Sequence, residues 1–436
     1  MSSMTHAAAR RRAPSTLTLA LLTAALPWSA NQAAAQAARP VEASSGFSAE
    51  RLARIDRVLQ QYVDDGELAG AVALVLRNGQ PVYERAVGWS DREAGRRMAA
   101  NSVFRIASQT KALTSVVILS LMEEGRLNLN DPVSRFIPEF DSTTVMERGE
   151  TGSRVVPARR RITIRDLLTH TAGISYGTQA QVADAYAQQG LGSAAGFGWY
   201  TADKDEPVCD TMERLASVPF VAQPGEQWVY GYNTDVLGCV AERVAGMPLD
   251  QLIRTRITGP LGMRDTHFFL PSEQRARLVA VYASGSDGKA VRAQEGPRGQ
   301  GSYVDGPRRN FAGGAGLLST AGDYARFLEM IRNGGELDGV RILAPRTVQL
   351  MTTNQVGTLH SANGLGFGLG FETTDRYGAN GMNSVGSFGW GGAYGSAYRV
   401  DPQAGLTLVL MINQLPNSTD IGQKFPTMVY QALVEP

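Results

Sequence analysis

The spacing of apolar residues divides the chain into elements. Residues 47–65 (FSAERLARIDRVLQQYVDD) carry apolar side chains at helical spacing, with Ser48 placed to cap the first turn. Residues 71–77 (AVALVLR), then Asn78-Gly79, then 82–87 predict a β-hairpin, because Asn-Gly readily adopts the positive φ that a tight two-residue turn needs. A long helical pattern runs from Ala107 to about Gly125. From 126 to 310 short helical stretches alternate with loops; a charge-dense stretch at 147–161 and a Gly- and Arg-rich one at 284–309 read as surface loops placed to edge a cleft. After Phe311, residues 319–333 predict a capped amphipathic helix and 346–351 a shorter one. Residues 393–400 and 406–413 predict strands joined by a hairpin at 401–405, and 422–434 a closing helix. Strands at both chain ends and helices between them predict an α+β fold. One antiparallel sheet (about 48–106 and 311–436) is flanked by terminal helices, and a helical lobe (about 107–310) is inserted, all in a single domain over 42–436.

The first 37 residues follow a different rule. Arg10, Arg11 and Arg12 precede an apolar stretch at 17–30 and the small residues Ala33-Ala34-Ala35-Gln36-Ala37, the order of a cleavable secretory signal. The expectation is an exported protein, periplasmic or secreted, with no stable membrane anchor. Of 436 residues 43% are hydrophobic and 19% charged, which is globular composition. The 42 basic and 41 acidic residues leave a net charge of +1, which falls to −2 once three arginines leave with the signal, so nothing favours nucleic acid as a partner. Two cysteines and four scattered histidines give no basis for a metal site. Export permits a disulfide between Cys209 and Cys239, but Cys239 in VLGCVAERVAG reads as a small buried residue on a helix face, and the pair is expected to be separate.

Lysine is rare: Lys111, Lys204, Lys289 and Lys424 are the only four. A buried Lys can give up its proton, which Arg does not. Lys111 lies in FRIASQTKALTSVVILS, three residues after Ser108, so the two share a helix face. Ser108 would occupy the first turn, where free N–H groups favour an oxyanion, and Lys111 could activate its hydroxyl. Ser286 and Lys289 have the same spacing in a polar, Gly-rich loop with no helix to align them. A rival nucleophile, Ser175 in Gly173-Ile174-Ser175-Tyr176-Gly177, would need a strand before it and a histidine base downstream. Here a helical stretch precedes it, and His267 and His360 lie in loops, so Ser175 reads as structural and His170 as a helix-end residue.

With these residues in view, the chain resembles the serine β-lactamase and penicillin-binding superfamily, in its class C-like branch. Ser108-Gln109-Thr110-Lys111 resembles the first motif; ITIRDLLTHTAGISYG, WVYGYNTDVLG, GPLGMRDTHF and GWGGAYGSAYRVDP follow in family order. The resemblance implies the β-lactamase/transpeptidase-like fold and a cofactor-free serine hydrolase that takes a small-molecule ester, amide or β-lactam. Tyr230 matches the second-motif Tyr, which would move protons with Lys111. Tyr232 stands where β-lactamases usually carry Asn. In the third motif Trp390-Gly391-Gly392 replaces the usual cation, as in family VIII carboxylesterases, so these residues and Tyr232 are expected to meet substrate. The Ser108 and Ala393 N–H groups would form the oxyanion hole. The reading implied is a carboxylesterase on neutral esters. The alternatives are a class C-like β-lactamase or D-Ala-D-Ala carboxypeptidase/D-aminopeptidase, and a penicillin-binding sensor that acylates without turnover.

Overall fold

A computed structural model describes residues 46–149, 152–192, 199–296 and 298–435. The proposed signal lies outside these residues. Eight antiparallel strands form the main sheet: β1 (Gly70–Arg77), β2 (Gln80–Asp91), β3 (Arg96–Arg97), β4 (Leu365–Phe367), β5 (Glu372–Thr374), β6 (Phe388–Gly391), β7 (Ala397–Asp401) and β8 (Leu406–Met411). Their spatial order is β4-β5-β6-β7-β8-β1-β2-β3, so the C-terminal strand β8 pairs with the N-terminal β1, as the sequence predicts. Asn78 (φ 51°) and Gly79 (φ 80°) turn β1 into β2, the paired positive φ values of the expected tight hairpin.

Period-two alternation puts the two faces of the sheet into different layers. Val72, Leu74, Val409 and Met411 point into the inner core, packed by α2 (Thr110–Glu123) and α6 (Ala321–Arg332). Ala71, Val75, Leu408 and Leu410 point into an outer core, covered by α1 (Ala49–Asp64) and α7 (Ile421–Ala432). Ser48 caps α1 by accepting from the Arg51 N–H at 3.3 Å. The segment between β3 and β4 carries most of the remaining helices, including α3 (Ile164–Leu168), α4 (Val208–Leu215) and α5 (Asn233–Ala245). Thr163 and Asp166 form a reciprocal capping box at the start of α3. Among the described residues no helix is long and apolar enough to cross a membrane.

Three sequence expectations need correction. The stretch at 147–161 lies mostly in a hairpin, Thr144–Gly149 against Gly152–Pro157, held by backbone pairing with little burial of its side chains. The stretch at 284–309 opens with another hairpin, Tyr282–Ser284 against Ala290–Arg292, and its later part lines a cavity separate from the one at Ser108. Cys209 and Cys239 are joined as a disulfide with Cα atoms 4.8 Å apart, stapling α4 to α5. Cys239 is buried as expected, but the facing helix that brings Cys209 to it is a tertiary contact invisible in the local pattern.

Candidate active site

Ser108 sits in a single 3₁₀ turn, Ala107–Gln109, that leads straight into α2. Ala107 has φ 42°, a left-handed conformation that a side chain adopts only when its surroundings impose it. The imposing neighbour is β6, whose continuation passes so close that a Cβ on Gly392 would stand 2.5 Å from the Ile106 carbonyl oxygen. Only glycine permits this approach, and it brings the strand's end to the nucleophile turn.

Lys111 is 3% exposed. Its Nζ lies 3.3 Å from Ser108 Oγ, 3.0 Å from Tyr176 OH and 2.8 Å from the Gly314 carbonyl. Donation to Gly314 O and Tyr176 OH holds Nζ beside the Ser108 hydroxyl. The Tyr230 ring lies over the same amine, 4.7 Å from Nζ to centroid. Tyr230 OH accepts a hydrogen bond from Trp390 Nε1–H at 3.1 Å. The three residues expected to carry the reaction are therefore in one cluster, with Lys111, not Tyr230, in hydrogen-bond contact with Ser108.

A cavity of about 600 Å³ opens over this cluster, and Ser108, Tyr176, Tyr230, Trp390, Gly391 and Ala393 are on its wall. The Gly392 N–H is spent on Ser396 O at 2.7 Å, whereas among the described residues no backbone carbonyl accepts from the Ala393 N–H outside regular elements, which leaves it for a ligand. Two residues expected to meet substrate stand behind the wall. Tyr232 is fully buried, packed edge-on against Tyr176 and stacked on Tyr186, and its hydroxyl accepts from the Gly192 N–H at 3.0 Å. It supports Tyr176 and does not line the cavity. Gly392 likewise serves the close approach to Ile106.

Trp390 does more than form a wall. Its ring packs with Tyr230 and Phe367 at centroid distances of 5.5 and 5.4 Å while its N–H holds the Tyr230 oxygen. The cation on the cavity wall, Arg399, is already paired with Glu372 at 3.3 Å. Ser175 is fully buried and its Oγ accepts from the Gly177 N–H at 3.0 Å, a local turn contact. His170, buried with φ 57°, meets Asn233 Nδ2 through Nδ1 at 3.0 Å, and burial drives its ionisation well below the usual imidazole range.

Two residues escaped the sequence reading. Tyr176 touches Lys111 directly, and burial, reinforced by Tyr230 and Asp235, holds its phenol protonated well above the ordinary range. It was hidden inside the Gly-x-Ser-x-Gly segment, where attention falls on the serine. Asp235, in the first turn of α5, is fully buried and accepts from the Gly314 N–H at 2.9 Å, holding the residue whose carbonyl receives Lys111. Burial pushes its carboxyl up to about 6 against the opposing pull of the Lys111 charge. An acidic residue near a helix start looks like ordinary dipole compensation, so its sequence signal was slight.

Comparison with known proteins bears on this cluster. The beta-lactamase family profile matches residues 55–429. Protein Rv1367c of Mycobacterium tuberculosis is 35% identical over 375 residues, covering 82% of this chain and 89% of that protein. Esterase EstB of Burkholderia gladioli is 36% identical over 382 residues, covering 84% and 91%. Among solved structures, EstCE1, described as a hydrolase with promiscuous acyltransferase activity, superposes with a TM-score of 0.74 at 29% identity, over 88% of this chain and 99% of that one.

Proposed function

The chain belongs to the beta-lactamase family, and from that membership we propose the reaction it performs: hydrolysis of neutral carboxylic esters through an acyl-serine intermediate. Ser108 Oγ attacks the acyl carbon as its proton passes to Lys111 Nζ, the basic atom within hydrogen-bond distance. The oxyanion is received by the Ser108 and Ala393 N–H groups. Tyr230 returns a proton to the departing alkoxide, with Lys111 beneath its ring replenishing it. Water then attacks the acyl-enzyme, the same groups handling its proton, and releases the acid and free Ser108.

The observation that carries the ester reading is Trp390. It occupies the third-motif position with an indole that binds Tyr230, and the nearby Arg399 is paired with Glu372, so among the described residues on the cavity wall no unpaired Arg waits for a substrate carboxylate. The likeness to EstB supports the same choice. Turnover of p-nitrophenyl butyrate set against nitrocefin tests it. Ester hydrolysis with negligible nitrocefin turnover is expected. Efficient nitrocefin hydrolysis without ester hydrolysis selects the β-lactamase alternative, and a long-lived acyl adduct without turnover selects the sensor.

Export is part of the proposal. It rests on the order of charge, apolar stretch and small residues over 1–37. A Cys209–Cys239 bond is also the kind that persists in oxidising compartments. Cell fractionation with N-terminal sequencing checks it: a mature N-terminus near residue 38 outside the cytoplasm is expected, and an uncut cytoplasmic chain refutes it.

A further inference from the structure

Resting on the carboxylesterase reading, we infer that the substrate's acyl group is a long aliphatic chain, housed in a trough that leaves the nucleophile's cavity around the edge of β6 and continues over the outer face of the sheet. The cavity wall that begins at Ser108 also includes Ala397, Leu408, Leu410 and Phe425. Leu408, Leu410 and Phe425 belong to the outer core, whereas their neighbours Val409 and Met411 belong to the inner one. The cavity therefore has parts on both sides of the sheet.

Strand register explains how it passes. β5 pairs with β6 only at Phe388 and Gly389, so Trp390 and Gly391 form an open edge. Gly389 and Gly391 lie opposite Arg399 and Ala397, on the outward face, where β6 consequently presents no side chain. A Cβ at Gly391 would meet only the Ser396 carbonyl oxygen, at 3.2 Å, so the space above it is open. The far wall is the first turn and a half of α7, where Gly422 also leaves room: a Cβ there meets nothing within 4 Å.

The chemistry of this extension selects its occupant. The polar group at its rim is closed on itself: Glu372 pairs with Arg399 at 3.3 Å, faces His360 Nε2 at 3.2 Å and accepts from Asn380 at 3.1 Å. An anionic or strongly polar terminus would have to break this set, while an aliphatic chain needs only the apolar wall of Gly391, Ala397, Gly422 and Pro426, beneath which Leu408 and Leu410 stay buried in the outer core. The acyl half is the one that lies here, because Ala393, whose N–H would receive the acyl oxygen, directly follows Gly391 and Gly392 on the trough's edge.

The test compares kcat/KM for p-nitrophenyl laurate and p-nitrophenyl butyrate in the wild type, in Gly422→Trp, which fills the far wall, and in Ala397→Leu, which raises the floor. Thermal melts check that each variant is folded. Wild-type kcat/KM on laurate is expected to equal or exceed that on butyrate, and Gly422→Trp to lower the laurate-to-butyrate ratio at least tenfold, with Ala397→Leu lowering it in the same direction. A wild type that turns over butyrate but is more than tenfold poorer on laurate overturns the trough alone. So does a ratio that neither folded variant changes. Turnover of neither ester overturns the esterase reading and the trough with it.

Discussion

Asp235→Asn should make the protein more stable at neutral pH. Asp235 is a fully buried carboxyl whose Oδ1 accepts from the Gly314 N–H at 2.9 Å, while Oδ2 has no hydrogen-bond partner. Burial raises its ionisation to about 6, against 3.8 for an exposed Asp. Asn stands in for the neutral acid: it keeps the acceptor for Gly314 and removes the charge whose burial Lys111 offsets only in part. For a carboxyl whose folded pKa is raised, the folded state holds its proton longer than the unfolded state. Stability therefore falls as pH rises from about 4 to about 6 and is flat above. Each pH unit in that window is worth ~1.4 kcal/mol, so the ionised carboxylate costs the wild type ~3 kcal/mol at pH 8 and nothing near pH 3. Urea unfolding at pH 8 and at the acid limit of folding measures the difference. Asp235→Asn should gain up to ~3 kcal/mol at pH 8, and the gain should vanish as pH falls below about 4. Activity should fall in the same variant, since the carboxylate is the buried negative charge facing Lys111. A variant less stable than wild type at both pH values would show that the carboxylate's pairing with Lys111 outweighs its desolvation, and the argument would be wrong.

Ser108→Ala should abolish ester hydrolysis while Ser175→Ala leaves a substantial part of it; loss only in the second would transfer the nucleophile to the buried turn. Lys111→Ala should lower kcat at least ~100-fold, the lower scale of general acid–base assistance, and a loss under tenfold would remove the amine from the proton pathway. Trp390→Phe deletes the N–H that holds Tyr230 OH but keeps an aromatic wall. A neutral hydrogen bond of about 1 kcal/mol predicts a several-fold fall in kcat, and an unchanged kcat would make the indole a wall only. Opening the Cys209–Cys239 bond frees a loop with a sequence separation of 30, which encloses Trp228 and Tyr230; loop-closure entropy predicts a loss of roughly 3 to 4 kcal/mol. Identical denaturation midpoints with and without reductant would refute the pairing.

What was legible beforehand follows the range over which each signal acts. The Asn78-Gly79 hairpin, the capped helix α1, the terminal strands of the sheet and the Ser108–Lys111 turn are local patterns, and each is found where expected, with strand ends displaced by up to four residues. The family motifs extended this reach to Tyr230 and Trp390, 160 residues apart in the chain but side by side in space. The paired strands at 144–149 and 152–157 were missed because they bury few side chains and so carry little apolar periodicity. The disulfide failed because only the packing of α4 on α5 brings the sulfurs together.

Tyr232 shows why a motif position and a chemical role are separable. Its place in the second motif suggested contact with substrate, yet its ring faces the interior and supports Tyr176, which in turn reaches Lys111. The polar partner that an amide would offer at the cavity is thus replaced by a second phenol one layer in. Tyr176, Tyr230 and the Gly314 carbonyl surround one amine from three sides, and Asp235 holds the residue on the third. Such an enclosure holds Nζ within hydrogen-bond distance of Ser108 Oγ. The cavity beside it is bounded by the aromatic wall at Trp390 and by the bare glycine face of β6. Both offer apolar surface, the chemistry that the proposed uncharged acyl group would need.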